Sequence, residues 1–261
     1  MVRELSIENS TANFRFNIQQ FDSLESTNKY CELLDLSSVE EFTVVWAHRQ
    51  TAGIGQRGNH WESEPDANLT VSIILKPTFL NASDTFCVTQ VIALGISDLL
   101  TEVLSCHDIR IKWPNDLLVD GKKICGTLIS STLQNAHIAS AICGIGLNVN
   151  QTLFSDWIPN PTSLSLLSGQ RYVLRPLLER MTQCIEHRYR QLQSDDRPAL
   201  EQLYLQRLFN YRKKACYLYH GGKTIAVIDG VDRYGRLLLT TDDGVSLRCQ
   251  MKEIALLSTE S

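Results

Sequence analysis

Five consecutive residues, Lys112-Trp113-Pro114-Asn115-Asp116, set a cation, a large aromatic ring, a proline, an amide and a carboxylate side by side. A second lysine follows in a glycine hairpin, Asp120-Gly121-Lys122-Lys123-Ile124-Cys125-Gly126. Lys112 and Lys123 offer charge for phosphates, while Asn115 and Asp116 offer oxygens for Mg²⁺ or a ribose. Ile109-Arg110-Ile111 has the pattern of a short strand, which puts Lys112 at a strand end. Strand ends are where α/β folds place chemistry. Pro114 fixes its own φ and pushes Trp113 into an extended conformation.

Two further segments carry candidate contacts. Gln50-Thr51-Ala52-Gly53-Ile54-Gly55-Gln56-Arg57-Gly58-Asn59-His60-Trp61 is a glycine loop whose backbone can approach a ligand and present N–H groups to an anion. It follows Thr43-Val44-Val45, a β-branched run that predicts a strand. No amphipathic helix opens at the third glycine, which argues against a dinucleotide site built on strand, turn and helix. Ser26-Thr27-Asn28 precedes the helical spacing of Tyr30, Leu33 and Leu34, so that Ser26 or Thr27 is a natural N-cap.

The elements that would position these residues fall into two groups. Up to about residue 209, strand and helix patterns alternate: strands over 14–21, 68–75, 127–131 and 138–143, helices over 84–104, 171–192 and 199–209. Pro198 is placed to start the last helix. From Arg212 onward, short β runs are separated by Gly221-Gly222, Tyr234-Gly235 and Asp242-Asp243-Gly244, spacings typical of a small barrel. The expected organisation is a larger domain of strands and helices over 1–209 and a small β domain over 210–261.

Composition narrows the function classes. A chain of 261 residues with 43% hydrophobic content can bury one large core and a small accessory domain. The net charge of −4 gives no general attraction for nucleic acid or anionic membrane. Eight cysteines are scattered through apolar runs with no Cys-x-x-Cys pair, so neither a zinc site nor a disulfide framework is expected. Reduced thiols, the absence of an apolar signal region and the absence of an apolar run of membrane-spanning length together predict a cytoplasmic protein.

The order Ser-Thr-Asn, Gln-x-Ala-Gly-x-Gly, Trp, Lys-Trp-Pro-Asn-Asp, Lys-x-x-Gly and Gly-Ile-Gly-Leu-Asn (144–148) resembles the biotin–protein ligases. The resemblance runs from about Phe21 to Asn150 and resumes weakly in the last fifty residues. It implies an α+β fold: a mixed-sheet catalytic domain of the biotin/lipoate ligase type with a C-terminal SH3-like barrel. It also implies an activity, in which biotin is activated with ATP to biotinyl-5′-AMP and passed to a lysine of a carrier domain in biotin-dependent carboxylases or decarboxylases. ATP and Mg²⁺ are the implied cofactors, and the partner is the biotin carboxyl carrier domain. Other members carry an N-terminal DNA-binding domain. About 25 residues precede Ser26 here, so no nucleic-acid or membrane partner is expected. Exposed strand edges are compatible with a monomer or a weak homodimer.

The resemblance also distributes roles. Lys123, the lysine of Lys-x-x-Gly, would bridge the biotin carboxylate and the α-phosphate, and Lys112 would contact the polyphosphate. Biotin would lie against Ser26, Thr27, Asn28, Gln50, Gly53, Ile54, Gly55, Gln56, Lys123 and Gly126. ATP or the adenylate would meet Arg57, Gly58, Trp61, Lys112, Asn115, Asp116 and Asn148. No metal ligand is assigned, and Asp116 is the candidate for Mg²⁺. Asp116 could instead brace its loop, Asn148 could instead end a strand, and Trp61 and Trp113 could cover the ligand or fill the core. In the C-terminal segment, Arg248, Lys252 and Glu253 are candidates for closing over ATP or docking the acceptor.

The glycine loop departs from the family pattern. Where relatives carry basic residues, this chain has Ile54, Gln56 and Asn59, and Arg57 is displaced by one. Three accounts stand: Arg57 swings in, Gln56 contacts the ligand through its amide, or the adenylate is held less tightly. Two alternatives remain for the activity: lipoate–protein ligation, or biotin binding without catalysis.

Overall fold

A computed structural model describes residues 2–3, 16–251 and 253–257. The elements are β1 (Val2–Arg3), β2 (Ile18–Leu24), α1 (Thr27–Glu32), β3 (Thr43–Gln50), β4 (Leu69–Leu75), α2 (Thr85–Val103), β5 (Ile109–Lys112), β6 (Asp116–Val119), β7 (Lys122–Gln134) and β8 (His137–Leu147). They continue with α3 (Leu164–Ser168), β9 (Arg171–Tyr172), α4 (Leu174–Gln193), α5 (Arg197–Arg207), β10 (Lys214–Tyr219), β11 (Gly222–Val231), β12 (Leu237–Thr241), β13 (Ser246–Cys249) and β14 (Ile254–Leu256).

Seven strands form a mixed sheet in the order β2-β3-β4-β8-β7-β6-β5. Only β2 and β3 run parallel, and every other pair is antiparallel. Every residue of β4 is buried, as expected of a central strand covered on both faces. Leu69, Val71, Ile73 and Leu75 point into the main core with α2 and α4. On the opposite face, Ile74 joins Val45, Cys31 and Ile142 in a small cluster under α1. That short helix covers only part of its face, and the remainder is where the cavity lies.

Helix α2 is apolar nearly all round because it lies between the sheet and α4. A Cβ added at Gly95 would come within 2.6 Å of the Ile185 Cα, so the glycine lets the two helices touch backbone to backbone. By length and composition the segment Ala82–Val103 could cross a membrane, contrary to the expectation that no apolar run reaches that length. Its most apolar stretch is 72% buried inside the fold, and its hydropathy is that of a core helix.

The C-terminal strands form a separate five-stranded antiparallel sheet in the order β13-β12-β11-β10-β14, an SH3-like unit. Its β11–β12 turn docks onto the first sheet. Asp232 accepts hydrogen bonds from the backbone of Tyr234 and Arg236 and from the Arg236 guanidinium. Gly235 has φ of 79° and packs so tightly that an added Cβ would meet Phe86 at 2.6 Å. Arg233 reaches back to Asp84, which also holds Arg197. Burial alone would raise the Asp84 pKa, but Arg197, with Asn81 and Arg233, together outweigh it and hold the carboxyl below its usual value.

Some expected boundaries shift. Residues 171–172 form β9, paired with β1, so the helix expected over 171–192 begins at Leu174. The last helix lies two residues earlier than expected, over Arg197–Arg207 with Pro198 in its first turn. The first long strand runs Ile18–Leu24 rather than 14–21, and residues 14–15 lie outside the described part. The strands expected over 127–131 and 138–143 are the centre of a longer hairpin, β7–β8.

Candidate active site

A cavity of about 350 Å³ opens on the α1 face of the large sheet and extends under the C-terminal sheet. Its volume falls at the lower end of the range for small-molecule sites. Four regions build it.

The floor is polar and almost fully buried. Ser26, Thr27 and Asn28 are 3%, 3% and 6% exposed. Ser26 is the N-cap of α1 by backbone geometry, but its side chain makes no capping bond. The N-cap position is the expected one, and both Ser26 and Thr27 line the cavity. Gln50, at the end of β3, accepts the Thr27 backbone N–H at 2.7 Å. Asn28 donates to the Leu128 carbonyl at 3.1 Å. Ser72, on β4 beneath the floor, lies 2.8 Å from the Thr27 hydroxyl and 2.5 Å from the Asn28 Oδ1. Gly144 leaves room for this amide, since an added Cβ would strike the Asn28 Oδ1 at 2.3 Å.

The glycine loop forms one side. Gly55 donates its N–H to the Asn59 carbonyl at 2.7 Å, and Trp61 donates to Gly53 at 2.9 Å. Ile54, Gly55, Gln56, Asn59, His60 and Trp61 face the cavity. Gly53 and Gly58 do not: the first lies against the Trp61 carbonyl, and the second turns the loop with φ of 78°. Both glycines shape the loop. The Arg57 side chain lies outside the described part.

Trp61 crosses the sheet over Gly126 and Gly146, which pair across β7 and β8. An added Cβ would meet its indole at 3.0 Å from Gly126 and at 2.2 Å from Gly146. The ring is held in a saddle that only glycines provide. Its Nε1 is buried without a partner.

The charged wall comes from β5, β6 and β7. Lys123 Nζ lies 2.8 Å from Asp116 Oδ1, with the two side chains 29% and 23% exposed, and 5.8 Å from the Trp61 ring centroid. The turn of the hairpin is Asp120-Gly121, so Lys123 sits within β7 rather than at the tip. The segment 160–162 pins its backbone: the Lys123 N–H donates to Asn160, and its carbonyl accepts from Thr162, both at 2.8 Å. Lys122 is exposed beside it. Lys112 ends β5 opposite Asp116 and also lines the cavity. Asn115 reaches the cavity, but its side-chain amide donates to the Thr127 carbonyl. Trp113 lines the wall and donates its Nε1–H to the Gly235 carbonyl at 2.9 Å, joining the two sheets.

Asn148 lies behind this wall. Its side chain donates to the Thr162 carbonyl at 3.0 Å and its backbone ties Ile124 to Leu164, so it braces the segment behind Lys123 and does not line the cavity. The C-terminal candidates are also displaced. The wall from that sheet is Tyr217, Ile228, Leu237, Met251, Ile254, Ala255 and Leu256, joined by Phe209, and Arg248 and Glu253 are not on it. Glu253 instead accepts the Gln250 N–H at 2.7 Å, and Lys252 lies outside the described residues. Sequence gave no signal for this apolar wall, because barrel-strand residues that face inward look like ordinary core.

Among the described residues no group of three or more His, Cys, Asp or Glu is arranged to hold a metal. Asp116 is the one carboxylate among the lining residues. The arrangement therefore suits a ligand with a polar ring for the floor, an apolar stem for the saddle, and anionic groups where Lys112 and Lys123 stand.

A model of the biotin/lipoate A/B protein ligase family matches residues 20–148. The bifunctional ligase/repressor BirA of Bacillus subtilis (strain 168) is 31% identical over 231 residues, 86% of this chain and 69% of its own length. A biotin–[acetyl-CoA-carboxylase] ligase of Paracoccus denitrificans is 34% identical over 108 residues, 40% of this chain and 43% of its own. Among solved structures, the biotin protein ligase from Aquifex aeolicus in complex with biotin and ATP aligns with a TM-score of 0.77 and 24% identity, covering 92% of this chain and 98% of that one.

Proposed function

Since this chain belongs to the biotin–protein ligases, we infer from its cavity how its own residues carry out the family's reaction. The protein is an ATP-dependent ligase that activates biotin and transfers it to a carboxylase carrier domain. In the first step a biotin carboxylate oxygen attacks the α-phosphorus of ATP. A new P–O bond forms, the bond to pyrophosphate breaks, and biotinyl-5′-AMP results. In the second step a lysine amine of the carrier attacks the acyl carbon. AMP leaves with the electron pair of the C–O bond, and the amine gives up a proton.

One observation carries this reading: Lys123, held 2.8 Å from Asp116, stands over the glycine saddle between the polar floor and the cavity's outer half. Two anions must meet there, so catalysis is positioning and charge neutralisation by groups fixed beforehand. Lys112, on the neighbouring strand, adds charge for the polyphosphate. Thr27, Asn28 and Gln50 meet the ureido ring, and Trp61 and Gly126 flank the stem. The C-terminal strands close over the nucleotide, which assigns 1–209 as the catalytic unit and 210–261 as its cover. Asp116 would hold Mg²⁺, which would offset the charge of the ATP phosphates. The outer wall contains Gln56, whose amide takes the place of the family's loop guanidinium.

The polar floor disfavours lipoate. A dithiolane offers neither N–H nor C=O, and would leave buried donors and acceptors unpaired at about 1–3 kcal/mol each. The net charge of −4 supports a role without nucleic acid or an anionic membrane surface. All eight cysteines are free, which supports a reducing, cytoplasmic setting. A monomer or weak homodimer is the proposed state. The test is to incubate the protein with ATP, biotin and a carrier domain, then map the product by mass spectrometry. Biotin on one lysine is expected. An unmodified carrier would refute ligation.

A further inference from the structure

We propose that Ser72, hidden beneath the floor and absent from the cavity wall, fixes the direction in which the Thr27 hydroxyl points its hydrogen. It makes the Thr27 hydroxyl an acceptor for a ligand N–H. The proposal rests on the biotin reading above and deepens it by naming the residue that makes the floor selective for a cyclic urea.

The argument follows from counting hydrogens. The Leu128 carbonyl can only accept, so the Asn28 group facing it at 3.1 Å is the NH₂. Asn28 Oδ1 therefore faces Ser72 at 2.5 Å, and Ser72 must donate its single hydrogen to it. Two hydroxyls 2.8 Å apart can donate either way, and with the single Ser72 hydrogen committed to Asn28 the Thr27 hydroxyl is assigned as the donor to Ser72. Burial pushes the Cys31 thiol up to about 12, so it stays protonated beside Ser72. Gln50 Oε1 is held by the Thr27 backbone N–H at 2.7 Å, with the Thr27 hydroxyl farther off at 3.2 Å. With its hydrogen committed to Ser72, the Thr27 oxygen offers lone pairs, while Gln50 has its NH₂ left to offer.

The floor thus presents an acceptor and a donor together, the complement of an N–H beside a C=O. Ser72 is 0% exposed and sits on the central strand, paired with Val45 and Gly144. Its orientation cannot relax into water, which is why one hydroxyl can set the sense of the whole chain. Ser72 acts through Thr27 and is a positioning residue.

The test compares biotin with an analogue in which a ring oxygen replaces one ureido N–H, in the natural protein and in Ser72→Ala. Biotin-dependent exchange of pyrophosphate into ATP is the assay. In the natural protein the analogue should have a KM at least about tenfold higher, because a buried acceptor loses its partner. In Ser72→Ala the Thr27 hydrogen keeps only the longer contact to Gln50 Oε1, which a ring oxygen of the ligand can outcompete, and the two ligands should differ by less than about threefold. The variant should raise the KM for biotin about tenfold, with kcat and the KM for ATP within about twofold. Ser72→Cys, nearly the same shape but a poor donor, carries the same comparison if the alanine variant does not fold. An equal penalty for the analogue in natural and variant proteins overturns the proposal while leaving the ligase reading intact. A natural protein without biotin-dependent exchange overturns the ligase reading itself.

Discussion

Replacing Lys123 by methionine separates a catalytic role from a structural one, because the structure assigns very different magnitudes to the two. In the resting protein the ammonium has one counter-ion, Asp116, at 2.8 Å, and the two side chains are 29% and 23% exposed. A pair open to solvent to this degree contributes about 0–1 kcal/mol, and the Asp116 left behind can be hydrated. The backbone of Lys123 is tied to Asn160 and Thr162 whatever side chain it carries. Unfolding stability should therefore change by less than about 1 kcal/mol. During adenylation the same ammonium faces a carboxylate and a phosphate whose charges converge. Two charge-assisted hydrogen bonds at about 1.5–3 kcal/mol each give about 3–6 kcal/mol. At about 1.4 kcal/mol per factor of ten, that is a loss of roughly a hundredfold to ten-thousandfold in adenylation rate. The assay is single-turnover formation of biotinyl-5′-AMP, paired with denaturant unfolding of the same preparation. A rate within tenfold of the natural protein would refute the reasoning, as would a destabilisation large enough to account for the lost rate.

Three further outcomes are expected. Trp113→Phe keeps the ring but removes the N–H that reaches Gly235, so it should lower stability by about 0.5–1.5 kcal/mol and raise the KM for ATP more than that for biotin; thermal unfolding and initial rates check both. Gly146→Ala places a methyl 2.2 Å from the Trp61 ring and should weaken biotin binding about tenfold or more by calorimetry, as overpacking costs about 1–3 kcal/mol. Asp84, depressed in the folded protein, contributes stability that is fully present above the unfolded carboxyl pKa of about 3.9 and is lost as pH falls through its lower folded value; Asp84→Asn should flatten the stability profile below about pH 4 in urea titrations and leave the neutral-pH slope unchanged.

Most of the catalytic wall was legible in the sequence because its residues are consecutive and chemically distinct. Lys112 through Asp116 occupy one strand end and the start of the next, and Lys123 follows across a turn marked by Asp120-Gly121. Thr27, Asn28 and Gln50 were legible as polar residues at element ends. Ser72 was not, since a serine in an apolar strand has no local signature and gains its role from partners 45 and 44 residues away. Asn148 was open to two readings, because its position after a glycine-rich strand fits a ligand contact as well as a brace, and its side chain is found on the Thr162 carbonyl. The C-terminal wall was missed for a related reason. Inward residues of a small barrel are apolar whether they face core or cavity, and only the docking of the β11–β12 turn through Arg233 and Gly235 brings them over the site. The start of α4 was misplaced because Arg171–Tyr172 pairs with a distant strand, a tertiary contact that overrides helical spacing.

The most direct test of the central claim is exchange of labelled pyrophosphate into ATP by the purified protein, with biotin, with lipoate and with neither. The exchange requires reversible formation of an acyl adenylate in the cavity that holds Lys112, Lys123 and the polar floor. The structure predicts label in ATP with biotin alone. Exchange supported by lipoate, or the same exchange with no acid present, would contradict it.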